Sequence, residues 1–324
     1  MAKSDPAANA LAKLNALKGM GSGSVIAGEL GKFLEHKANV VVAKAAELVR
    51  AGEITSLQPE MEAAFARFMK SPTTTDKGCA AKEAIATTLY ELGCDAEGTF
   101  LAGVRHFQKE GSYGPPVDTA VDLRGVCALG LVRMAYRDVM VELADLLADE
   151  SHRARIMAAR AIAYAGRDEG ALLLRLKIRT GDREPDVTAE CLIALGGLWR
   201  LRALSFVAGF LDDRDSTLAE AAAMALGEMR HESALALLQE QWRRNDFGQI
   251  RAGLALPIAL SRLPASVELL VGAIATEPEP VAGAAIEAMR IYRHDAAVSE
   301  RIRAAALARR LAKLDALVAK YFGD

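Results

Sequence analysis

The 324-residue sequence is poor in aromatic residues and has no excess of either charge. Phe, Trp and Tyr make up 5% of the chain and hydrophobic residues 52%, so its core must be built from Ala, Leu, Val and Ile. Forty Lys and Arg residues face 42 Asp and Glu residues, which gives a net charge of −2. Non-specific binders of duplex nucleic acid normally carry a basic excess, because neutralised phosphates supply most of their affinity. The composition therefore argues against a nucleic-acid partner.

Catalytic and metal-binding motifs are also missing. The sequence has no GxxxxGKS or GxxxxGKT phosphate loop, no GxGxxG after a predicted strand, and neither HExxH nor GxSxG. The four cysteines form no CxxC pair, and the five histidines lack the spacing of three or four that metal ligands on one helix would have. We therefore expect no metal and no cofactor, and the sequence gives no positive indication of an enzyme.

Long apolar runs are absent too. The N-terminal sequence MAKSDPAANALAKLNALKG has no continuous apolar stretch of signal-peptide length, and no later stretch reaches the 18 residues that span a membrane. Two of the four cysteines, Cys127 and Cys191, stand in apolar stretches that recur along the chain. There they are expected to be small buried hydrophobic residues of a protein in a reducing compartment. The sequence predicts a cytoplasmic protein without a transmembrane segment, and it says nothing about oligomeric state.

What the sequence does contain is an apolar pattern that recurs six times between residues 123 and 289. Its reference positions are 31 to 33 residues apart: Arg124, Arg155, Thr188, Ala219, Arg251 and Ala282. The residue before each reference position, and those three, four and seven after it, are apolar in all 24 cases. These offsets follow one face of an α-helix, and a fixed period of this length indicates stacked supersecondary units.

A second apolar helix is predicted in each unit after a short turn. Its starts are 31 to 33 residues apart, at Val139, Ala171, Ala203, Ala234 and Val267. Gly166 and Gly227 follow or end the first helices, where a helix C-terminus or a close helix approach favours glycine. Acidic turns close several units and can stabilise the next helix N-terminus. Each repeat is therefore predicted to be a helix pair.

The template also fits around Val42 and Lys82, at wider spacings of 40 and 42 residues, which gives about eight repeats. We expect the extra residues to be insertions in Ser71–Gly78 and Gln108–Asp118, both rich in turn formers. The sequence thus predicts three segments. Residues 1–24 are expected to be partly disordered, and residues 25–297 to form the repeat array, which starts with a helix in 25–37. Residues 298–324 are expected to contain one amphipathic helix that caps the array.

The best-formed units are RARIMAARAIAYAG at residues 153–166 and TLAEAAAMALGEM at residues 217–229. A unit of this pattern, with an acidic turn and a second apolar helix, resembles the HEAT repeat, in particular the short bacterial kind shared with phycobilin-lyase-type HEAT proteins. The resemblance covers roughly residues 38–295 and most clearly 118–295. It implies an all-α solenoid of about eight HEAT-like helix pairs.

HEAT arrays mostly bind proteins along an extended concave surface, some act as chromophore lyase subunits, and one related group excises alkylated bases from DNA. The resemblance therefore implies a non-enzymatic scaffold or adaptor that binds a protein partner on its second-helix face. The alternatives are a ligand-handling enzyme subunit of the bilin-lyase-like type and, with less support, a DNA-base glycosylase. Fold similarity supports only analogy, and no cluster specific to bilin attachment is found.

The resemblance has departures as well. The basic residue typical of the reference position is kept at Lys82, Arg124, Arg155 and Arg251, but Thr188, Ala219 and Ala282 replace it. A polar ladder between repeats is therefore expected to be incomplete in the C-terminal half.

Two groups of residues are candidates for binding. Residues on the second helices are expected to be exposed to a protein partner: Glu142, Asp145, Arg175, Arg179, Gln239, Gln241 and Trp242.

The second group lies in and near the two insertions, which interrupt neighbouring repeats and are therefore expected to lie side by side. Together these residues could hold an anion, a peptide carboxylate or a small ligand: Lys77, Cys79, Lys82, Arg105, His106, Tyr113 and Asp118. Lysines beside Cys79 favour a thiolate, although a half-buried cysteine in an ordinary surface loop explains the pattern equally well.

The two tryptophans allow two interpretations. Trp199 and Trp242 each stand next to a pair of arginines near a predicted helix end. Such a pair can stack on a base and contact phosphate, as the glycosylase alternative requires. A large aromatic at a helix end also fills the seam between repeats, and the balanced charge favours this structural interpretation.

Overall fold

A computed structural model describes residues 6–17, 24–111 and 113–323. The chain divides into two compact units, Met1–Ala165 and Gly166–Asp324. The predicted all-α class is confirmed, because the described residues outside helices form turns and a single two-stranded ladder. Helices packed in sequential pairs, as the repeat pattern predicts, are found within each unit.

Unit 1 is built from two layers of helices. The apolar pattern lies on α3, α6, α8 and α10, which pack side by side, and α1 extends this row. The unit contains α1 (Pro6–Leu17), α2 (Ser24–Leu34), α3 (Asn39–Ala51), α4 (Gln58–Phe68), α5 (Pro72–Thr75), α6 (Ala80–Glu91), α7 (Glu97–Val104), β1 (Lys109–Glu110), β2 (Val117–Asp118), α8 (Val121–Arg133), α9 (Val139–Leu147) and α10 (His152–Ala165).

Unit 2 repeats the arrangement. Its first helices α12, α14, α16, α18 and α20 stack in sequence, and each second helix packs against at least one of them. The unit contains α11 (Asp168–Thr180), α12 (Pro185–Trp199), α13 (Leu204–Ala208), α14 (Ser216–Glu228), α15 (Glu232–Arg244), α16 (Gly248–Leu260), α17 (Pro264–Thr276), α18 (Glu279–Ala288), α19 (Ala296–Arg309) and α20 (Ala312–Phe322).

The apolar stripe of the repeat pattern is the core of both units. All 24 stripe residues except Leu218 and Ile250 are buried, and so are the eight equivalent residues of the two earlier repeats. Ile250 is 41% exposed. Because the buried face contains many alanines, the helices approach closely and the core needs few aromatic side chains.

The two glycines singled out by the sequence serve the two purposes expected of them. Gly166 follows α10 with a φ of 67°, a left-handed conformation that ends a helix and favours glycine. Gly227 lies inside α14, where a Cβ atom would stand 2.2 Å from the carbonyl oxygen of Pro257 in α16. The first glycine therefore ends a helix, and the second allows two helices to touch.

Both ends of the chain differ from the prediction. Residues 6–17, expected within a partly disordered segment, form helix α1 with Ala10 and Leu14 buried, while residues 1–5 and 18–23 lie outside the described residues. The single capping helix predicted over residues 298–322 is wrong: Arg310 adopts a φ of 52° and separates α19 from α20. Each of these helices has its own buried positions, so the break lets both pack.

One stretch of the described residues, 185–208, is long and apolar enough to cross a membrane by length and composition alone. The sequence-based expectation that no stretch reaches membrane-spanning length does not hold for these residues. Its backbone turns at Arg200, where φ is 46°, so it comprises α12, a short 3-10 turn and α13. In the structure α12 packs against α11 and α14, as a core helix of the repeat array does.

Candidate partner-binding surface

The cleft between α11 and α13 brings together two of the predicted partner-binding residues, Arg175 and Arg179. It has a volume of about 440 Å³ and is lined by Arg175, Arg179, Ser205, Phe206, Gly209 and Phe210, which we call the arginine–phenylalanine cleft. Ala171, Leu174 and Ile178 anchor α11 in the core, so the intervening arginines are directed away from it.

Both arginines of the cleft stack on one aromatic ring. The guanidinium carbon of Arg175 lies 4.0 Å from the centroid of Phe206, and that of Arg179 lies 5.0 Å from it. Phe210 contacts Phe206 edge to face, with centroids 5.6 Å apart. Cation–π contacts of this kind are worth about 0.5–1 kcal/mol at exposed sites, so they hold the two guanidiniums in place without neutralising them.

Among the described residues, neither arginine of the cleft has an ion-pair partner. The nearby carboxylates are occupied elsewhere: Asp182 pairs with Lys177 at 2.8 Å, and Asp212 pairs with Arg244 at 2.6 Å. The cleft therefore presents two positive charges that the folded unit leaves unpaired.

Two large apolar side chains flank these charges. Leu172 and Leu176 are 60% and 61% exposed, and their spacing of three or four residues from Arg175 and Arg179 puts all four on one side of α11. Covering the exposed part of one such leucine contributes about 1–2 kcal/mol. An exposed apolar and basic helix face is therefore available to a partner.

Three of the other predicted partner-binding residues are buried, so the expectation that they are exposed is wrong. Gln241 donates to the carbonyl oxygen of Leu211 at 3.1 Å and to the carboxylate of Asp212 at 2.9 Å, which ties α15 to the turn after α13. Trp242 is 4% exposed, and its carbonyl oxygen accepts a hydrogen bond from Arg251. Both residues belong to the seam between repeats.

Glu142 is the third buried residue of this group. Its carboxylate forms an ion pair with Arg105, whose side chain is mostly exposed. Asp145 on the same helix is exposed as predicted, and Gln239 of α15 is half-buried. Of the seven candidates, Arg175 and Arg179 line the cleft between α11 and α13, while Glu142 and Asp145 line a smaller cleft of unit 1.

The two insertions do lie side by side, as predicted. The backbone N–H of Gly78 donates to the carboxylate of Glu110 at 2.8 Å, and the side-chain amide of Gln108 donates to the carbonyl oxygen of Asp76 at 2.7 Å. In the second insertion, β1 and β2 form an antiparallel hairpin in which Lys109 pairs with Asp118. The first insertion contains α5 and a 3-10 turn.

Buried ion pairs occupy the region where the insertions meet. The Lys82 ammonium lies 2.9 Å from Asp76, and both side chains are fully buried. The Arg124 guanidinium lies 2.7 Å from Asp118 and 2.9 Å from Asp149. These groups pair with one another, so the region is a structural network that joins neighbouring repeats.

Asp76, Gln108, Arg124 and Asp149 were not among the predicted site residues, although a sequence signal for the aspartates exists. An aspartate stands six residues before the reference position in five repeats: Asp76, Asp118, Asp149, Asp182 and Asp213. In the last four, its side chain accepts a hydrogen bond from the backbone N–H two residues later. This Asx turn starts the next first helix.

Cys79 is not the reactive thiol that its lysine neighbours suggested. Its side chain is fully buried, and burial raises the pKa of the thiol to about 12, an effect that the nearby Lys82 charge only partly offsets. Burial also lowers the pKa of His106, which remains half-buried beside Gln108. The thiolate expectation is wrong because desolvation outweighs the attraction of one cation.

The remaining insertion candidates do not join a common site. Tyr113 is fully exposed, and Lys77 is exposed while its carbonyl oxygen accepts a hydrogen bond from Asn39. Arg105 lines a small cleft of about 150 Å³ with Phe107 and Glu142. Among the described residues no group of three or more His, Cys, Asp or Glu side chains could hold a metal ion.

Trp199 lies at the end of α12, as predicted, and its ring is already engaged. Its indole N–H donates to the carboxylate of Asp168 at 3.1 Å, and the guanidinium of Arg202 lies 4.4 Å from the ring centroid. Arg202 also pairs with Asp168. Trp242 is buried and Arg202 stacks on the Trp199 ring, so both tryptophans make contacts within the fold.

A comparison with known protein families agrees with this description of the fold. The family model for HEAT repeats matches residues 172–258, which include most of α11 and all of the arginine–phenylalanine cleft. No curated protein matches the chain. The solved complex of CpcE and CpcF of phycocyanin lyase from Nostoc sp. PCC7120 aligns with 79% of this chain and 94% of that chain, at 17% identity and a TM-score of 0.43.

Human deoxyhypusine hydroxylase in complex with glycerol aligns with 80% of this chain and 92% of that chain, at 16% identity and a TM-score of 0.32. Likenesses this distant carry no functional argument.

Proposed function

We propose, from the premise that this chain is a HEAT-repeat protein, that it is a non-enzymatic interaction scaffold. In this proposal a protein partner binds the second-helix surface of unit 2, centred on the arginine–phenylalanine cleft. The observation that carries the proposal is the exposed side of α11, where two unpaired guanidiniums stand beside two leucines that are more than half exposed.

This surface has the composition of a binding hot spot. Arginine and aromatic residues dominate the affinity of protein interfaces, and the surrounding apolar contacts exclude water from them. Stacking on Phe206 fixes the two arginines before a partner arrives, so less side-chain entropy is lost on binding. Leu172 and Leu176 supply the apolar contact next to them.

The polar cluster at the insertions supports a scaffold more than an enzyme. Its charged groups form internal ion pairs, namely Asp76 with Lys82 and Arg124 with Asp118 and Asp149. The cysteine closest to them is buried, with a raised thiol pKa. A group used in catalysis would need access to substrate, and these groups are used to hold repeats together.

A pull-down from lysate of the native host tests the proposal. The tagged full-length chain is compared with the Arg175→Glu/Arg179→Glu double variant, and bound proteins and small molecules are identified by mass spectrometry. The control is Arg153→Glu/Arg290→Glu, which makes the same charge change at two exposed arginines outside the cleft. Circular dichroism melting confirms that all three proteins are folded.

We expect one dominant protein to be recovered with the wild type and the control, and at least tenfold less of it with the cleft variant. Equal recovery with all three proteins would overturn the proposed binding surface. A retained small molecule without a stoichiometric protein partner would instead favour a ligand-handling function and overturn the scaffold.

A further inference from the structure

We infer that the occupant of the arginine–phenylalanine cleft is an acidic peptide segment that carries two carboxylates beside leucine-like apolar side chains. The inference rests on the proposed function and adds the chemistry of the partner. It follows from the charge of the cleft, the spacing of its arginines and the apolar side chains beside them.

The charge of the cleft calls for an anion. Arg175 and Arg179 stand four residues apart on α11, where two like charges repel each other, and both are drawn to the same ring of Phe206. No described carboxylate neutralises them. A guanidinium forms two parallel hydrogen bonds with a carboxylate and retains its stacking on an aromatic ring while doing so. Carboxylates arriving from a partner would therefore relieve the repulsion and keep the stack.

The spacing of the arginines suits two carboxylates on one segment. Four residues of α-helix rise about 6 Å, so the two guanidiniums start from backbone positions about 6 Å apart. Glutamates at positions i and i+4 of a partner helix have the same separation. Glutamates at i and i+2 of an extended segment are about 6.7 Å apart, so either backbone can present the pair.

The leucines distinguish a peptide from a polyphosphate chain. Leu172 and Leu176 lie on the same side of α11 as the arginines and are more than half exposed. Leucine-like side chains between the glutamates of a peptide would cover them, whereas a nucleic-acid backbone would leave them in water. Two cations also release few counterions, so phosphate binding at this cleft would be weak at physiological salt.

Fluorescence anisotropy with synthetic peptides tests the inference on the full-length chain. The probes are two labelled 14-residue peptides, each with two glutamates flanked by leucines, one at i,i+4 in a helix-forming host and one at i,i+2 in an extended host. Matched probes replace both glutamates with glutamine, replace the leucines with serine, or replace the peptide with a 14-nucleotide oligo-dT. A further probe carries arginines in place of the glutamates.

We expect at least one acidic peptide to bind, and to bind at least tenfold more tightly than its glutamine and serine counterparts and than oligo-dT. Arg175→Glu/Arg179→Glu should lose this peptide and bind the arginine peptide instead. This exchange of preference would not arise from a merely structural defect. If neither acidic peptide binds, if glutamine peptides bind equally well, or if oligo-dT binds more tightly, the inference is overturned.

The two proposals fail separately. If the pull-down partner is lost from Arg175→Glu/Arg179→Glu but no acidic peptide competes with it, the scaffold surface stands and the partner chemistry is wrong. If acidic peptides bind while the variant recovers the native partner as well as the wild type does, the cleft chemistry stands and the proposed function is wrong.

Discussion

Arg124 and Asp149 join two successive repeats through a buried ion pair that contains one side-chain hydrogen bond. Nη2 of Arg124 donates to Oδ1 of Asp149 at 3.1 Å, and Nε lies 2.9 Å from Oδ2, although 25 residues separate the two in sequence. The carbonyl oxygen of Asp149 also accepts a hydrogen bond from Arg155 at 2.8 Å. One aspartate therefore ties the reference residues of two repeats to a single turn.

Removing the Arg124 side chain is expected to destabilise unit 1 strongly. Arg124→Leu leaves the buried carboxylate of Asp149 and the half-buried carboxylate of Asp118 without their cation, and breaking a buried pair costs about 3–5 kcal/mol. Urea unfolding of the full chain, followed by circular dichroism, measures the decrease in the free energy of unfolding.

The control is Arg153→Leu, which removes an exposed pair with Asp122 and should cost no more than about 1 kcal/mol. Equal effects of the two substitutions would mean that the ladder does not stabilise the fold.

The same network predicts how stability changes with pH. Burial raises the pKa of the Asp118 carboxyl, but the N–H groups of Ala120 and Gln108 together with Arg124 outweigh it and lower the pKa below its ordinary value of 3.8. A carboxyl with a lowered folded-state pKa stabilises the fold above its unfolded-state pKa, and this contribution is lost as the pH falls through the folded-state value.

The melting temperature of the wild type should therefore fall between about pH 5 and pH 3, and that of Asp118→Asn should fall less over the same range. At pH 7 the variant should already be less stable than the wild type by about 1–3 kcal/mol, because Arg124 loses a charged acceptor. Parallel pH profiles for the two proteins would show that Asp118 does not supply this dependence.

The sequence was sufficient to predict the repeat helices because their signal is local and repeated. The offsets of the stripe around Arg124 and its equivalents follow from the helical period, and burial of nearly every stripe residue confirms them. The break at Arg310 could not be predicted in this way. The residue in the left-handed conformation is an arginine and not a glycine, so the sequence carries no signal for a helix end there. The apolar positions before and after Arg310 fit one long amphipathic helix as well as they fit two shorter helices.

The candidate surface was predicted only in part. Arg175 and Arg179 were identified from their position on a second helix, but their stacking on Phe206 depends on the packing of α11 against the following repeat. Trp242 was misjudged for a related reason. Second helices such as α15 are amphipathic, and their apolar face is narrow. A shift of one residue in the expected register therefore moves a side chain from the exposed surface into the seam between repeats.

The buried thiols should not react with alkylating reagents in the native protein. Burial raises the pKa of Cys79 and of Cys191 to about 12 and raises that of Cys127 as well. At pH 8 a thiol with such a pKa is ionised to only about one part in ten thousand, and the thiolate is the reactive form. We expect iodoacetamide to modify these residues at the rate of unfolding, as measured by peptide mass spectrometry.

A Ser205→Cys variant provides the positive control, because this position is exposed in the arginine–phenylalanine cleft. The introduced thiol should be alkylated within minutes under conditions that leave Cys79 intact. Rapid alkylation of Cys79 in the folded protein would contradict its burial and would return it to the set of candidate functional residues.

Gly227 sets the distance between α14 and α16, so adding one methyl group there should be costly. The Cβ atom of Gly227→Ala would lie 2.2 Å from the carbonyl oxygen and 2.8 Å from the carbonyl carbon of Pro257. Both atoms belong to the backbone, so no side-chain rotation can relieve the clash and the two helices must move apart. Overpacking of this kind costs about 1–3 kcal/mol.

The matched control is Gly272→Ala in α17, where a Cβ atom meets nothing within 4 Å and better helix propensity should stabilise the protein by about 0.5–1 kcal/mol. Urea unfolding of the two variants should therefore shift in opposite directions, and a shared direction would mean that close contact at Gly227 does not determine the packing of these repeats.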